Sequence, residues 1–244
     1  MISFKKNDVI IVTGASSGLG QSTAIQLNEL GATVIAIARN KERLNETKLK
    51  CKYPDNFHIE VKDLTEKIEE LPVYIKELKN KYGKFTGLAY CAGVANIAPL
   101  QAIDLTKAKE IFDINYFAPL FMVKGFCDRR NNIGKGASIV VISSISGVKS
   151  DKGHGVYGGS KAAIAASMKS FAREVSETQG IRINCVSPSD VKTPLTAHKI
   201  EQENSKYPFG CGEATDVSNM IVFLLSYEAK WINTQNYITD CGYM

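Results

Sequence analysis

Short apolar, β-branched runs alternate along the chain with longer stretches whose apolar residues return every three or four positions. Val9–Thr13, Thr33–Ala38, Phe57–Val61, residues 87–91, Ser138–Ile142 and residues 181–186 read as buried strands, with Asn236–Thr239 a candidate last strand. Between them, residues 18–30 place Ala24, Leu27 and Leu30 on one helical face. The polar stretch 41–50, and residues 66–82, 107–130, 156–178 and 214–226, read as further helices, with Pro72 placed to interrupt the second of these five. Strand–helix alternation of this kind predicts a parallel sheet covered on both faces. With right-handed crossovers, that is an α/β fold with one Rossmann-type doubly wound sheet and helices on both faces. No linker, repeat or low-complexity segment divides residues 1–244, so a single domain is expected. The exception to the pattern is 196–212, which is polar, weakly periodic and carries Pro208 and Gly210. A long loop there, taken with its approach as residues 194–212, is placed to serve as a short substrate lid.

Composition narrows the function classes. Of 244 residues, 44% are apolar and 23% charged, which is ordinary for a globular protein and excludes a disordered or collagen-like chain. The 30 basic and 25 acidic residues leave +5, but Lys and Arg never form a block. Neither a nucleic acid nor a membrane surface is called for. No two of the six cysteines make a C-x-x-C pair and no histidine cluster accompanies them, so no metal site is expected. Residues 1–8 lack a signal-like apolar region and no apolar run reaches the roughly 18 residues of a membrane span. A reduced, cytoplasmic protein is the expectation.

Between the first strand and first helix stands Thr13-Gly14-Ala15-Ser16-Ser17-Gly18-Leu19-Gly20, with glycines spaced G-x-x-x-G-x-G. Glycine lets backbone approach a pyrophosphate, and the following helix offers unpaired N–H groups and partial positive charge. The alternative is a glycine-rich turn that only permits tight packing. At the tip of the second strand Ala38-Arg39 stands where a carboxylate would hold a ribose 2′-hydroxyl, and an arginine there suits a 2′-phosphate. NADP(H) is therefore favoured over NAD(H), against the alternative of an ordinary surface arginine. Asp63-Leu64 follows the third strand; the carboxylate could accept from an adenine amino group or cap a helix beginning near Thr65.

Tyr157 and Lys161 open a long helix at i and i+4, on one face. A neighbouring ammonium favours the phenolate and brings the phenol toward working pH, where acid–base catalysis is most effective. Ser143 and Ser144 end the fifth strand, at the sheet edge where ligands bind, and a serine there can stabilise oxyanion charge. A solvated Tyr–Lys pair is the plain alternative to this reading.

Taken in order, these residues resemble the short-chain dehydrogenase/reductase family over essentially the whole chain. Thr13–Gly20 matches its cofactor motif, Tyr157 and Lys161 its Y-x-x-x-K, Ser144 its serine by spacing, and Asn115 its helix asparagine. The resemblance implies a tetrad. Tyr157 moves the proton, Ser144 orients the carbonyl, Lys161 binds the nicotinamide ribose and lowers the tyrosine pKa, and Asn115 helps hold a relay water. It also implies cofactor contacts from Gly14, Ser16, Ser17, Gly18, Leu19, Gly20, Arg39, Asp63, Leu64, Ala92, Gly93, Pro188, the Val191 backbone and Thr193. Two departures stand out. Cys91 occupies the cofactor-side position of a usual asparagine, so a polar structural contact is absent or relocated. Ser189 follows Pro188 where glycine is common. Among relatives the chain most resembles the 3-oxoacyl-[acyl-carrier-protein] reductase branch, which implies NADPH-dependent ketone reduction, a substrate carried on an acyl carrier protein, and a homotetramer or homodimer. Phe112, Tyr116, Phe121, Ile164, Met168 and Phe171, spread around two long helices, fit a subunit interface or monomer core. Lys192, His198, Lys199 and Lys206 add positive charge around the lid, as attraction for an acidic partner or as a solvated loop. Whether His154 or His198 meets substrate is open at this level. A nucleotide-binding sensor without turnover, or reduction of another carbonyl or sugar, are the competing functions.

Overall fold

A computed structural model of the chain describes residues 2–197 and 200–243. The strands are β1 (Val9–Thr13), β2 (Thr33–Ala38), β3 (Phe57–Val61), β4 (Gly87–Tyr90), β5 (Ser138–Ile142), β6 (Arg182–Pro188), β7 (Val191–Lys192), β8 (Gly212–Glu213) and β9 (Asn236–Thr239). Seven of them form one all-parallel sheet in the order β3-β2-β1-β4-β5-β6-β9. The order reverses direction at β1 and β4, and that switch point opens a crevice beyond the strand ends.

Every residue of β1, β5 and β6 is buried, as parallel strands covered on both faces require. Alternate side chains feed two cores. Ile11, Ile35, Leu88 and Val141 pack with Ile75, Phe126 and Met168 on one face. Ile10, Val34, Ala89 and Val140 pack with Leu27, Ile221 and Leu224 on the other. The helices supplying these layers are α1 (Gly18–Glu29), α2 (Lys41–Leu49), α3 (Leu71–Tyr82), α4 (Leu105–Phe112), α5 (Ala118–Phe126), α6 (Gly155–Gln179), α7 (Ile200–Glu203) and α8 (Ala214–Leu225).

Three expectations change. The helix expected over 66–82 begins only at Leu71, because Pro72 sits in its first turn, where a missing N–H costs nothing. The helix expected over 107–130 starts earlier, at Leu105, where Asp104 accepts from the Lys107 N–H at 2.9 Å. It then widens into a π turn over Asp113–Phe117 and stops at Phe126. Pro119 cannot donate to the Asn115 carbonyl four residues back, and its ring crowds that carbonyl, so the wider turn relieves the conflict. The Asn131 and Asn132 side chains then donate to the Gly125 and Phe126 carbonyls at 2.9 and 2.8 Å and end the helix. Third, the segment expected to form a lid is not a plain loop. Its base is the β7–β8 pair, and it carries α7 and a buried Tyr207. His198 and Lys199 lie outside the described residues. Among the described residues no helix is long and apolar enough to cross a membrane.

Candidate active site

A cleft of about 650 Å³ opens at the C-terminal edge of the sheet, within the roughly 300–1,000 Å³ usual for small-molecule sites. The glycine turn forms one end of it, with Gly14, Ser17, Gly18, Leu19 and Gly20 in its wall. Gly14 has φ +66, and a Cβ there would stand 3.0 Å from the Ala92 backbone. The turn thus rests directly on the end of β4, with no room for a side chain. Ser17 precedes α1 without capping it, and no acidic residue occupies the first turn, so the helix N–H groups remain available to an anion.

Cys91, Ala92 and Gly93 continue the wall. The polar contact expected to suffer from Cys91 is relocated: Thr13 Oγ1 accepts from the Cys91 and Ala92 N–H groups, both at 3.1 Å, and so ties β1 to the end of β4. Burial pushes the Cys91 thiol up to about 12, which keeps it neutral. At Gly93 a Cβ would lie 3.0 Å from Asn115 Oδ1 and 3.3 Å from Lys161 Nζ, so glycine is what lets those two groups approach.

Ser144, Tyr157 and Lys161 line the middle of the cleft. Of the two strand-end serines, Ser143 is committed, donating to the Lys161 carbonyl at 2.7 Å. Ser144 is hydrogen-bonded with Tyr157 and accepts from the Ser146 N–H at 3.1 Å. The phenol differs from the sequence expectation. Its pKa is raised, first by burial, then by nearby Asp190, with the Ser144 bond pulling the other way. Lys161 does not set it. The Lys161 ammonium donates instead to the Ile142 carbonyl at 2.9 Å, in a fully dry position that brings its own pKa down to about 8. Burial penalises the charged form of each group, which moves the phenol up and the amine down.

Asn115 sits one layer behind the cleft, in the π turn. Its amide donates to the Val94 carbonyl at 2.9 Å and to Ser160 Oγ at 3.1 Å, and accepts from the Val94 N–H at 3.1 Å. It therefore holds the loop after β4 against α6. Pro188, Val191 and Thr193 complete the far wall, and the Thr193 side chain would stand 3.3 Å from a Cβ at Gly18.

The adenine-side residues are arranged otherwise. Arg39, Asp63 and Leu64 lie outside the cleft wall; Arg39 pairs with Asp63 at 3.5 Å and is 73% exposed. Asp63 caps no helix. It accepts from the Thr65 N–H and hydroxyl at 2.9 and 2.7 Å in a turn. Burial raises its pKa, but the two Thr65 bonds and Arg39 outweigh that and leave it lowered. Ser16 faces an adjoining hollow of about 400 Å³, shared with Ser17, Gly18, Arg43, Lys50 and Lys192.

Sequence reasoning left His154 open and missed Asp190, Tyr207 and Tyr243; all four line the other end of the cleft. Tyr207 donates to Asp190 at 3.1 Å and packs tilted against Tyr243 with ring centres 5.0 Å apart. These residues come from three distant segments without a motif, so only the fold unites them. Of the basic residues expected around the lid, the two described lysines are each paired, Lys192 with Glu213 at 2.6 Å and Lys206 with Glu203 at 2.7 Å.

Comparison with known proteins agrees with this geometry. The sequence pattern described as short chain dehydrogenase matches residues 8–204. The 3-oxoacyl-[acyl-carrier-protein] reductase of Thermotoga maritima is 29% identical, over 96% of both chains. The NADP-dependent (R)-specific alcohol dehydrogenase of Lentilactobacillus kefiri is 27% identical, over 98% of this chain and 97% of its own. In three dimensions, a short chain dehydrogenase from Burkholderia cenocepacia, solved in complex with NADP, superposes with a TM-score of 0.89 at 22% identity over 98% of each chain. A Brucella melitensis short-chain dehydrogenase/reductase superposes at 0.91 and 19% identity, over 100% of this chain and 99% of its own.

Proposed function

The chain belongs to the short-chain dehydrogenase family, and on that premise we propose that it is an NADPH-dependent reductase of 3-oxoacyl-type ketones. It is an oxidoreductase acting between alcohol and carbonyl with a nicotinamide dinucleotide. The finer reading rests above all on one observation: the Ser144 and Tyr157 hydroxyls are hydrogen-bonded to each other in the wall of a cleft whose other end is the open α1 N-terminus.

The cofactor, when bound, supplies the hydride. The glycine turn and α1 N-terminus would hold its pyrophosphate, with Thr193 across from Gly18, and the Val191 backbone and Lys161 would hold its nicotinamide end. Ser144 donates to the substrate carbonyl oxygen and fixes its position. Tyr157, kept protonated by burial, donates its proton to that oxygen as negative charge builds there. Lys161, still largely charged at neutral pH and anchored on the Ile142 carbonyl, would hold the nicotinamide ribose. Asn115 keeps the Val94 loop and α6 in register, so that these groups stay aligned.

The NADPH preference is assigned to Arg39 and supported by Arg43. An exposed ion pair such as Arg39–Asp63 contributes little, so a doubly charged phosphate displaces it readily. Arg43 faces the hollow beside Ser16, and its guanidinium has no polar partner among the described residues. Arg39→Asp should abolish the NADPH preference in cofactor titrations; an unchanged preference rejects the assignment.

The substrate is a small ketone, free or carried on an acyl carrier protein. Six free cysteines suit a reducing, cytoplasmic setting. Phe112, Tyr116, Phe121 and Phe171 are half-buried, the last three packed against the core to which Ile164 and Met168 belong, and what these four leave exposed is assigned to contact with other copies in a tetramer or dimer. The test of activity is NADPH consumption with β-ketoacyl thioesters, diketones and keto sugars. Consumption with the thioesters is expected. Binding without consumption across the panel would make the protein a nucleotide sensor instead.

A further inference from the structure

His154 lines the cleft beside the proposed proton donor yet belongs to none of the roles above. It precedes α6 by one position, and its ring meets the Tyr157 ring edge-on with centres 6.2 Å apart. Its Nδ1 shares a hydrogen bond of 3.2 Å with Ser146 Oγ. Ser146 is buried, and its backbone N–H is spent on Ser144 Oγ.

That pairing fixes which way the imidazole is protonated. The Ser146 hydroxyl has no other acceptor among the described residues. Were Nδ1 to carry the proton and donate, the buried hydroxyl hydrogen would be left unsatisfied, which costs about 1–3 kcal/mol in general. The favoured arrangement has Ser146 donating to Nδ1, so that Nε2 carries the hydrogen. A protonated imidazole also presents Nε2–H. Either way, Nε2 is a hydrogen-bond donor, and it has no partner among the described residues.

We propose that His154 reads a second oxygen on the substrate. With one carbonyl held by Ser144 and Tyr157, Nε2–H donates to a further carbonyl or carboxylate oxygen a few atoms away. The inferred substrate class is ketones bearing a nearby acyl oxygen, such as 3-oxo esters, thioesters or acids, in preference to simple monoketones. This deepens the reductase reading and rests on it. A site built to hydrogen-bond a particular oxygen discriminates strongly against ligands lacking it, because the buried polar group is then left unpaired.

The test is calorimetry on the full chain with NADP⁺, which cannot reduce a ketone, so binding is measured without turnover. The probes are methyl acetoacetate and 2-hexanone, similar in length, only the first having a second acyl oxygen. The wild type should bind methyl acetoacetate at least tenfold more tightly. His154→Ala should erase that advantage while leaving 2-hexanone within twofold, and His154→Gln, which retains a donor, should restore part of it. In NADPH turnover, His154→Ala should raise KM for the keto ester tenfold or more and change kcat little. Equal loss for both probes, or no loss, overturns the proposal. Intact discrimination in binding with no NADPH consumption leaves the His154 assignment standing and removes the reductase reading instead.

Discussion

Burial, rather than the neighbouring Lys161, sets the state of the Tyr157 phenol. Burial keeps the phenol protonated, and burial likewise leaves the neighbouring amine with a pKa of about 8. The sign of the pH dependence follows. Below about 8 the amine is charged and can hold the cofactor ribose; above it that charge is lost while the phenol stays protonated. Ketone reduction should therefore hold steady through neutral pH and decline with a midpoint near 8. A pH profile of kcat/KM checks this, and a decline centred near the ordinary lysine range of about 10 contradicts it. Gly93→Ala tests the same cluster sterically. A Cβ 3.3 Å from Lys161 Nζ should lower turnover at least tenfold with little change in stability, read by assay beside thermal melting. At this scale the sequence was most informative where chemistry and spacing coincide. Tyr157 and Lys161 are legible because i,i+4 fixes them to one face. Asp190, Tyr207 and Tyr243 are not, because nothing local marks residues that meet only after folding.

Strands were legible almost residue for residue, since a doubly covered sheet demands unbroken apolar runs such as Val9–Thr13 and Ser138–Ile142. Helix ends were less so. The break between α4 and α5 has an unbroken apolar pattern running through it, and only Pro119 signals the π turn. That turn sets where Asn115 points. Asn115→Ala removes three hydrogen bonds joining the Val94 loop to α6, so activity should fall and the loop should become protease-sensitive, while the core melts as before. The sheet itself carries stability. Leu88→Ala, fully buried in β4, should cost about 2–5 kcal/mol in denaturant unfolding. A cost under about 1 kcal/mol would show that the site collapses around the lost volume.

Across the whole molecule, topology does the assembling. The switch between β1 and β4 brings the glycine turn from the first half of the chain to the serine, tyrosine and lysine of the second, within one cleft. Strand–helix alternation made this architecture readable before any motif was considered. The adenine end was less readable: Arg39 and Asp63, assigned separate ligand contacts, are partners of one another. Sedimentation or light scattering should give a tetramer or dimer, and a monomer would leave Phe112, Tyr116, Phe121 and Phe171 to packing within the monomer alone. In this mechanism the Tyr157 hydroxyl hands its proton to a ketone oxygen. Tyr157→Phe, assayed for NADPH binding and NADPH consumption on one preparation, removes that proton and little else. NADPH affinity should be unchanged and turnover reduced about 10²–10⁴-fold; turnover within tenfold of the wild type would overturn the assignment of Tyr157 as proton donor.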